Sequence, residues 1–81
     1  MRIEVTQEDI SKGRVHSCGK CPIAVALRRT GFPRANAGYS NLWQDDEFFR
    51  TPDKVQSFMV VFDMGAIVGP ISFEIPWELP A

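Results

Sequence analysis

Residues 51–75 read TPDKVQSFMVVFDMGAIVGPISFEI, and this stretch decides the fold because a helical period gives way to a strand period inside it. Thr51 predicts an N-cap, Pro52 the first helical position and Asp53 an acid in the first turn, where the helix dipole favours it. Val55, Phe58, Met59 and Phe62 then recur at i, i+3, i+4 and i+7, which gives one apolar stripe along a helix. Gly65 is expected to stop that helix. Beyond Pro70 the pattern changes: Ile71, Phe73 and Ile75 alternate with Ser72 and Glu74, as in a strand with one buried face, and Pro76 closes it. An amphipathic helix followed directly by a half-buried strand predicts helices packed on a sheet.

The rest of the chain repeats the theme. Arg2 to Thr6 alternates, with Ile3 and Val5 facing one way, and predicts a short strand. Thr6 and Asp9 have the spacing of a capping box at the start of a helix over residues 7–12, which Gly13 is expected to end in a left-handed conformation. Residues 14–20 are polar and read as a loop. Pro22 opens a second helix with Ile23, Ala26 and Leu27 on one face, Arg28 and Arg29 at its C-terminal end and Gly31 as its stop. Residues 32–38 read as a connector. Tyr39–Trp43 and Glu47–Arg50 predict two strands joined by a polar turn at residues 44–46. The expected fold class is α+β: a single domain over residues 1–81, in the order β-α-α-β-β-α-β, with one mainly antiparallel sheet and helices on one face.

A chain of 81 residues buries only about 60% of its unfolded surface. Its 44% apolar content and six Phe still supply a core, which argues against disorder. No apolar run reaches the roughly 18 residues of a membrane span. The opening Met-Arg-Ile-Glu-Val lacks the apolar stretch of a secretory signal. The expected location is therefore the cytoplasm, with both cysteines reduced. Net charge is −1, so no global field draws the chain to nucleic acid. Residues 1–40 hold seven basic and three acidic side chains, and residues 41–81 hold two and seven. That asymmetry offers a basic surface to an anion, or lets two protomers associate through opposite charge.

The sharpest local feature is His16-Ser-Cys18-Gly-Lys-Cys21. One reading is zinc on His16, Cys18 and Cys21, which would need a fourth ligand from elsewhere. A second is redox chemistry of a Cys-x-x-Cys at a helix start; here, however, it is the second cysteine that takes the capping position. The plainest reading makes Cys21 a small buried hydrophobe at the helix start. A fourth use is anion binding, with free N–H groups at that helix start, close approach at Gly19, and charge from Arg14, His16, Lys20 and Arg28. A base would then stack on Tyr39 or Trp43. No nucleophile, base and orienting acid are arranged as an enzyme would need, so no catalytic residue and no cofactor is assigned.

Tyr39, Trp43, Phe48 and Phe49 are expected to pack in the core, or else to anchor a partner. The acids Asp45, Asp46 and Glu47 read as a solvated turn. The tail around Trp77 has little core left to join, which makes it a candidate for docking on a second protomer. Nucleic-acid binding would fall to Arg28, Arg29 and Arg34, and is the weaker alternative.

Val5-Thr6-Gln7, Cys21-Pro22-Ile23-Ala24 and Phe62-Asp63-Met64-Gly65 together resemble a group of small uncharacterised phage and prophage proteins. The resemblance spans most of the chain and carries no assigned active site. It implies a phage accessory context in a bacterial host. The function expected on these grounds is non-enzymatic: sequestering an anionic, nucleotide-like small molecule, or blocking a host defence protein.

Overall fold

The computed structural model describes residues 1–79. In chain order the elements are β1 (Arg2–Val5), α1 (Gln7–Lys12), α2 (Pro22–Thr30), β2 (Asn36–Ala37), β3 (Asn41–Gln44), β4 (Glu47–Arg50), α3 (Asp53–Asp63) and β5 (Ile71–Glu74). The chain is an α+β fold built around one hydrophobic core. The short β2 lies in what the sequence presented as connector, and β3 begins two residues after the expected Tyr39.

The expected single sheet is instead two. β1 pairs antiparallel with β5, Ile3 lying opposite Phe73. β3 lies between β2 and β4, with Ala37 opposite Leu42 and Leu42 opposite Phe49. The physical reason lies at the edges of the first pair. The outward carbonyl of Glu4 accepts from the Arg29 guanidinium at 2.8 Å, and that of Ser72 accepts from Lys54 Nζ at 2.9 Å. Side chains thus occupy one carbonyl on each of the edges through which a second sheet would join.

α2 joins the halves by packing against α1, β1 and β2. Ile23, Ala24, Ala26 and Leu27 are buried on it, as its apolar face requires. Ile3, Val5, Phe73 and Ile75 meet them from the first sheet, Leu42 and Ala37 from the second, and Val55, Phe58 and Met59 from α3. Each large side chain buried in this way contributes about 1.5–3 kcal/mol relative to exposure.

Three local expectations change. Thr51 does not cap α3: it is buried, and its hydroxyl donates to the Gly38 carbonyl at 2.7 Å instead. Gly13 ends α1 in an extended conformation (φ −70°) and not a left-handed one. A glycine is needed there because a Cβ would lie 2.5 Å from the Pro22 ring. The tail is not spare, either. Trp77 is buried in its own chain, tilted on Phe32 at 5.6 Å and edge-on to Phe49 at 5.1 Å between ring centroids. The Thr6–Asp9 capping box forms as the spacing predicts. Among the described residues, no helix is long and apolar enough to cross a membrane.

Candidate functional site

Two clefts flank the connector between α2 and β3. The first, about 250 Å³, is lined by His16, Cys18, Cys21, Tyr39, Met59 and Asp63 among others. The loop over residues 14–20 reaches it because two main-chain bonds fix the loop: Arg14 N–H donates to the Lys20 carbonyl at 2.7 Å, and Ala37 N–H donates to the Cys18 carbonyl at 2.8 Å. His16 takes a left-handed conformation (φ 53°), a strained choice for a residue with a side chain. Its main-chain N–H donates to Asp63 Oδ1 at 2.9 Å, and its Nδ1 lies 3.8 Å from Oδ2. The Tyr39 hydroxyl donates to the same Oδ2. That bond, with some burial, pushes the Tyr39 hydroxyl up from its ordinary range, so it stays a donor. Asp63, whose side chain is 10% exposed, therefore ties α3 to the loop and to the connector. Sequence reading placed it in the Phe62-Asp63-Met64-Gly65 motif and gave it no role in a site. Its one signal is a polar residue following Phe62 at the end of an apolar stripe.

Cys21 caps α2 through its sulfur, which accepts from Ala24 N–H at 3.5 Å. Burial pushes its thiol up, against the weaker opposing effect of the Ala24 and Ile23 amides. This is the opposite of the activated thiolate that redox chemistry requires. Cys18 is exposed. The zinc set of His16, Cys18 and Cys21 shares the cleft lining without converging. Among the described residues, no three His, Cys, Asp or Glu side chains come together closely enough to hold a metal ion.

The anion cradle also fails to assemble. The start of α2 is closed, since Pro22, Ile23 and Ala24 are buried and Cys21 already takes an amide. Arg28 does sit beside Gly19, where an added Cβ would lie 3.2 Å from its Nη2. But its guanidinium donates to the Ala35 carbonyl at 2.9 Å and to Asn36 Oδ1 at 3.2 Å, holding the connector. Arg14, Gly19 and Lys20 do not line the cleft.

The second cleft, about 610 Å³, is lined by Tyr39, Asn41, Trp43, Asp45, Glu47 and Phe48 among others. Tyr39 borders both clefts, whereas Trp43 borders only the second. A phosphate carried by a base stacked on these rings meets Asp63 on one side, or Glu47 and the Arg34-paired Asp45 on the other. Of the expected aromatic core, only Phe49 packs on Trp77, and Phe48 is 72% exposed.

The basic residues offered for nucleic acid are likewise engaged. Arg29 forks onto Asp9 with two bonds of 3.0 Å, and Arg34 forks onto Asp45 with two of 2.7 Å. The opposite charge of the two halves is thus partly spent inside the molecule. The Arg34–Asp45 pair crosses between them.

The surface that sequence reasoning missed is at the end of α3. Val60 (41%), Val61 (39%), Met64 (77%) and Ile67 (100%) are exposed within eight residues. Val60 and Val61 fall outside the stripe of Val55, Phe58, Met59 and Phe62, and Met64 extends past it. That surplus of apolar residues on one helix was the available signal. No protein-family model matches this chain, and no curated protein or solved structure matches it either.

Proposed function

We propose that this protein acts by binding another protein, without catalysis, and docks it on the apolar surface at the end of α3. The observation that carries the reading is the exposure of Val60, Val61, Met64 and Ile67 while the core is already filled by other residues. Val60 and Met64, and Val61 and Met64, are one helical turn apart and so are neighbours, and the loop bearing Ile67 follows directly. Apolar residues gathered in this way favour association with a complementary protein surface. The resemblance to phage accessory proteins extends the reading to a host defence protein as the target, in the bacterial cytoplasm. Sequestration of a nucleotide has less support, because carboxylates face both clefts.

The test is quantitative affinity capture from bacterial lysate with the wild type and a Met64→Glu/Ile67→Glu variant. The expected result is a protein retained by the wild type, lost by the variant, and inhibited when the purified wild type is added to it. Calorimetry against a nucleotide panel is expected to show no heat of binding. A nucleotide bound at micromolar affinity and released by Tyr39→Ala would overturn the proposal in favour of sequestration, as would equal capture by both proteins.

A further inference from the structure

The hydrogen-bond parity of the strands shows which backbone groups point away from each sheet. In the first sheet the Met1–Ile75 bond of 2.8 Å sets odd-numbered β1 residues as the paired ones. Glu4 and Ser72 therefore point outward, and Arg29 and Lys54 cover their carbonyls. In the second sheet the Gly38–Asn41 bond of 2.9 Å leaves Ala37 pointing outward from β2, and the Cys18 carbonyl covers its N–H. The Thr51–Ser40 bond of 2.9 Å continues the β3–β4 ladder, in which Glu47 and Phe49 are the paired residues of β4. Phe48 and Arg50 consequently point their N–H and C=O groups away from the sheet. Three edges are covered at these points, and among the described residues nothing covers β4.

An uncovered edge is a template for another strand. We propose that β4 pairs antiparallel with β4 of a second copy of this chain about a two-fold axis at Phe48. Parity allows outward residues to face only outward residues, and of the registers this leaves, the one about Phe48 sets Phe48 opposite Phe48 of the partner. In the same register Arg50 comes beside the Asp46 turn of the other copy, twice by symmetry. Residues 46, 48 and 50 lie on the solvent face, and Asp46 and Arg50 are exposed and opposite in charge. Among the described residues Arg50 now reaches only the equally exposed Asp53 at 3.3 Å, a contact worth little and easily exchanged. The strand thus carries, in antiparallel order, the chemistry that complements itself. The dimer would bring the two clefts lined by Trp43 and Phe48 together across the axis. This surface is separate from the end of α3 and does not depend on the function proposed above.

Sedimentation equilibrium from low micromolar to near-millimolar concentration tests the pairing. The wild type is expected to show a monomer–dimer equilibrium, and Phe48→Lys a monomer throughout. Arg50→Asp and Asp46→Arg are each expected to weaken the dimer about tenfold, because two symmetry-related attractions become repulsions. The double variant Asp46→Arg/Arg50→Asp is expected to restore it. These positions are exposed, so circular dichroism is expected to be unchanged in all variants, and any variant that does unfold leaves the charge-swap series as the test. A wild type that stays monomeric overturns the proposal. So does a dimer that survives Phe48→Lys, or one lost on Met64→Glu/Ile67→Glu, which would assign self-association to α3 instead.

Discussion

Replacing Asp9 by alanine is expected to cost this protein about 2–3 kcal/mol, a large share of a domain whose total is about 4–12 kcal/mol at the usual ~0.05–0.15 per residue. Asp9 is 1% exposed and holds two things. Its Oδ2 accepts the Thr6 N–H at 2.9 Å, half of the capping box of α1, and losing such a cap costs about 1 kcal/mol. Both its oxygens also take the Arg29 fork, which in turn reaches the Glu4 carbonyl at 2.8 Å. Charge-assisted bonds contribute about 1.5–3 kcal/mol, discounted here because the Arg29 side chain is 51% exposed. The sign with pH follows from the same contacts. Burial pushes the Asp9 carboxyl up, but the Arg29 and Thr6 bonds together outweigh it and hold the group below its ordinary 3.8. A carboxylate held low in the folded state stabilises fully above its unfolded value. That contribution fades as pH falls from about 3.8 through the lower folded value. Urea unfolding of the wild type and Asp9→Ala, Asp9→Asn and Arg29→Ala variants measures these effects. The gap between wild type and Asp9→Ala should narrow in that acidic window, and Asp9 and Arg29 should be coupled in a double-mutant cycle. A cost below about 0.5 kcal/mol for Asp9→Ala, the scale of an ordinary surface change, would refute the reasoning.

Three further outcomes are expected. Trp77→Ala should destabilise by about 3–5 kcal/mol, the range for emptying a buried aromatic site, measured by urea unfolding; a cost under 1 kcal/mol would mean the tail is not part of the core. Gly13→Ala should cost about 1–3 kcal/mol through the contact its Cβ makes with Pro22, whereas the open site of Gly69 offers a control with no neighbour within 4 Å. A thiol reagent near neutral pH should modify the exposed Cys18 at once and the buried Cys21 only as the chain unfolds, with mass spectrometry counting the adducts; equal rates in native buffer would contradict the closed start of α2.

The helices were legible because each signal is local. The capping box at Thr6 and Asp9, Pro22 after Cys21, and the stripe from Val55 to Phe62 all lie within a few residues of one another. The strands other than β2 were legible as strands, and β4 fell at the expected Glu47–Arg50 behind the acidic run, with the turn narrowed to residues 45–46. Their assembly was not. Sheet pairing is set between distant segments, and the contacts at the edges of the first sheet, Arg29 to Glu4 and Lys54 to Ser72, span 25 and 18 residues and leave no local pattern. The candidate site divides in the same way. His16, Cys18, Cys21 and Tyr39 do gather at one cleft, but Asp63, 47 residues from His16, is what organises it. Arg28 is turned away because it clamps the connector, Trp43 lines the second cleft, and Lys20 lines neither.

Charge explains both what this surface has lost and what it has kept. Read along the chain, the basic half offers its charge to an anion. In the fold Arg28, Arg29 and Arg34 each close a structural gap: a connector, a sheet edge, a turn. Each of these cations has donors committed to a partner within the chain, although Arg34 (72%) and Arg29 (51%) stay exposed at the surface. Arg14 and Lys20 stay exposed, and beside them two surfaces of another kind face outward: the β4 edge with Phe48 and Arg50, and the valines and methionine at the end of α3. Neither surface is needed to complete the core, because Trp77 and Phe49 already seal that side and Val55, Phe58 and Met59 fill the other. Exposing them lowers solubility and adds nothing to the stability of this chain alone. Apolar and edge surface left open at that cost is where contacts with other chains are to be sought.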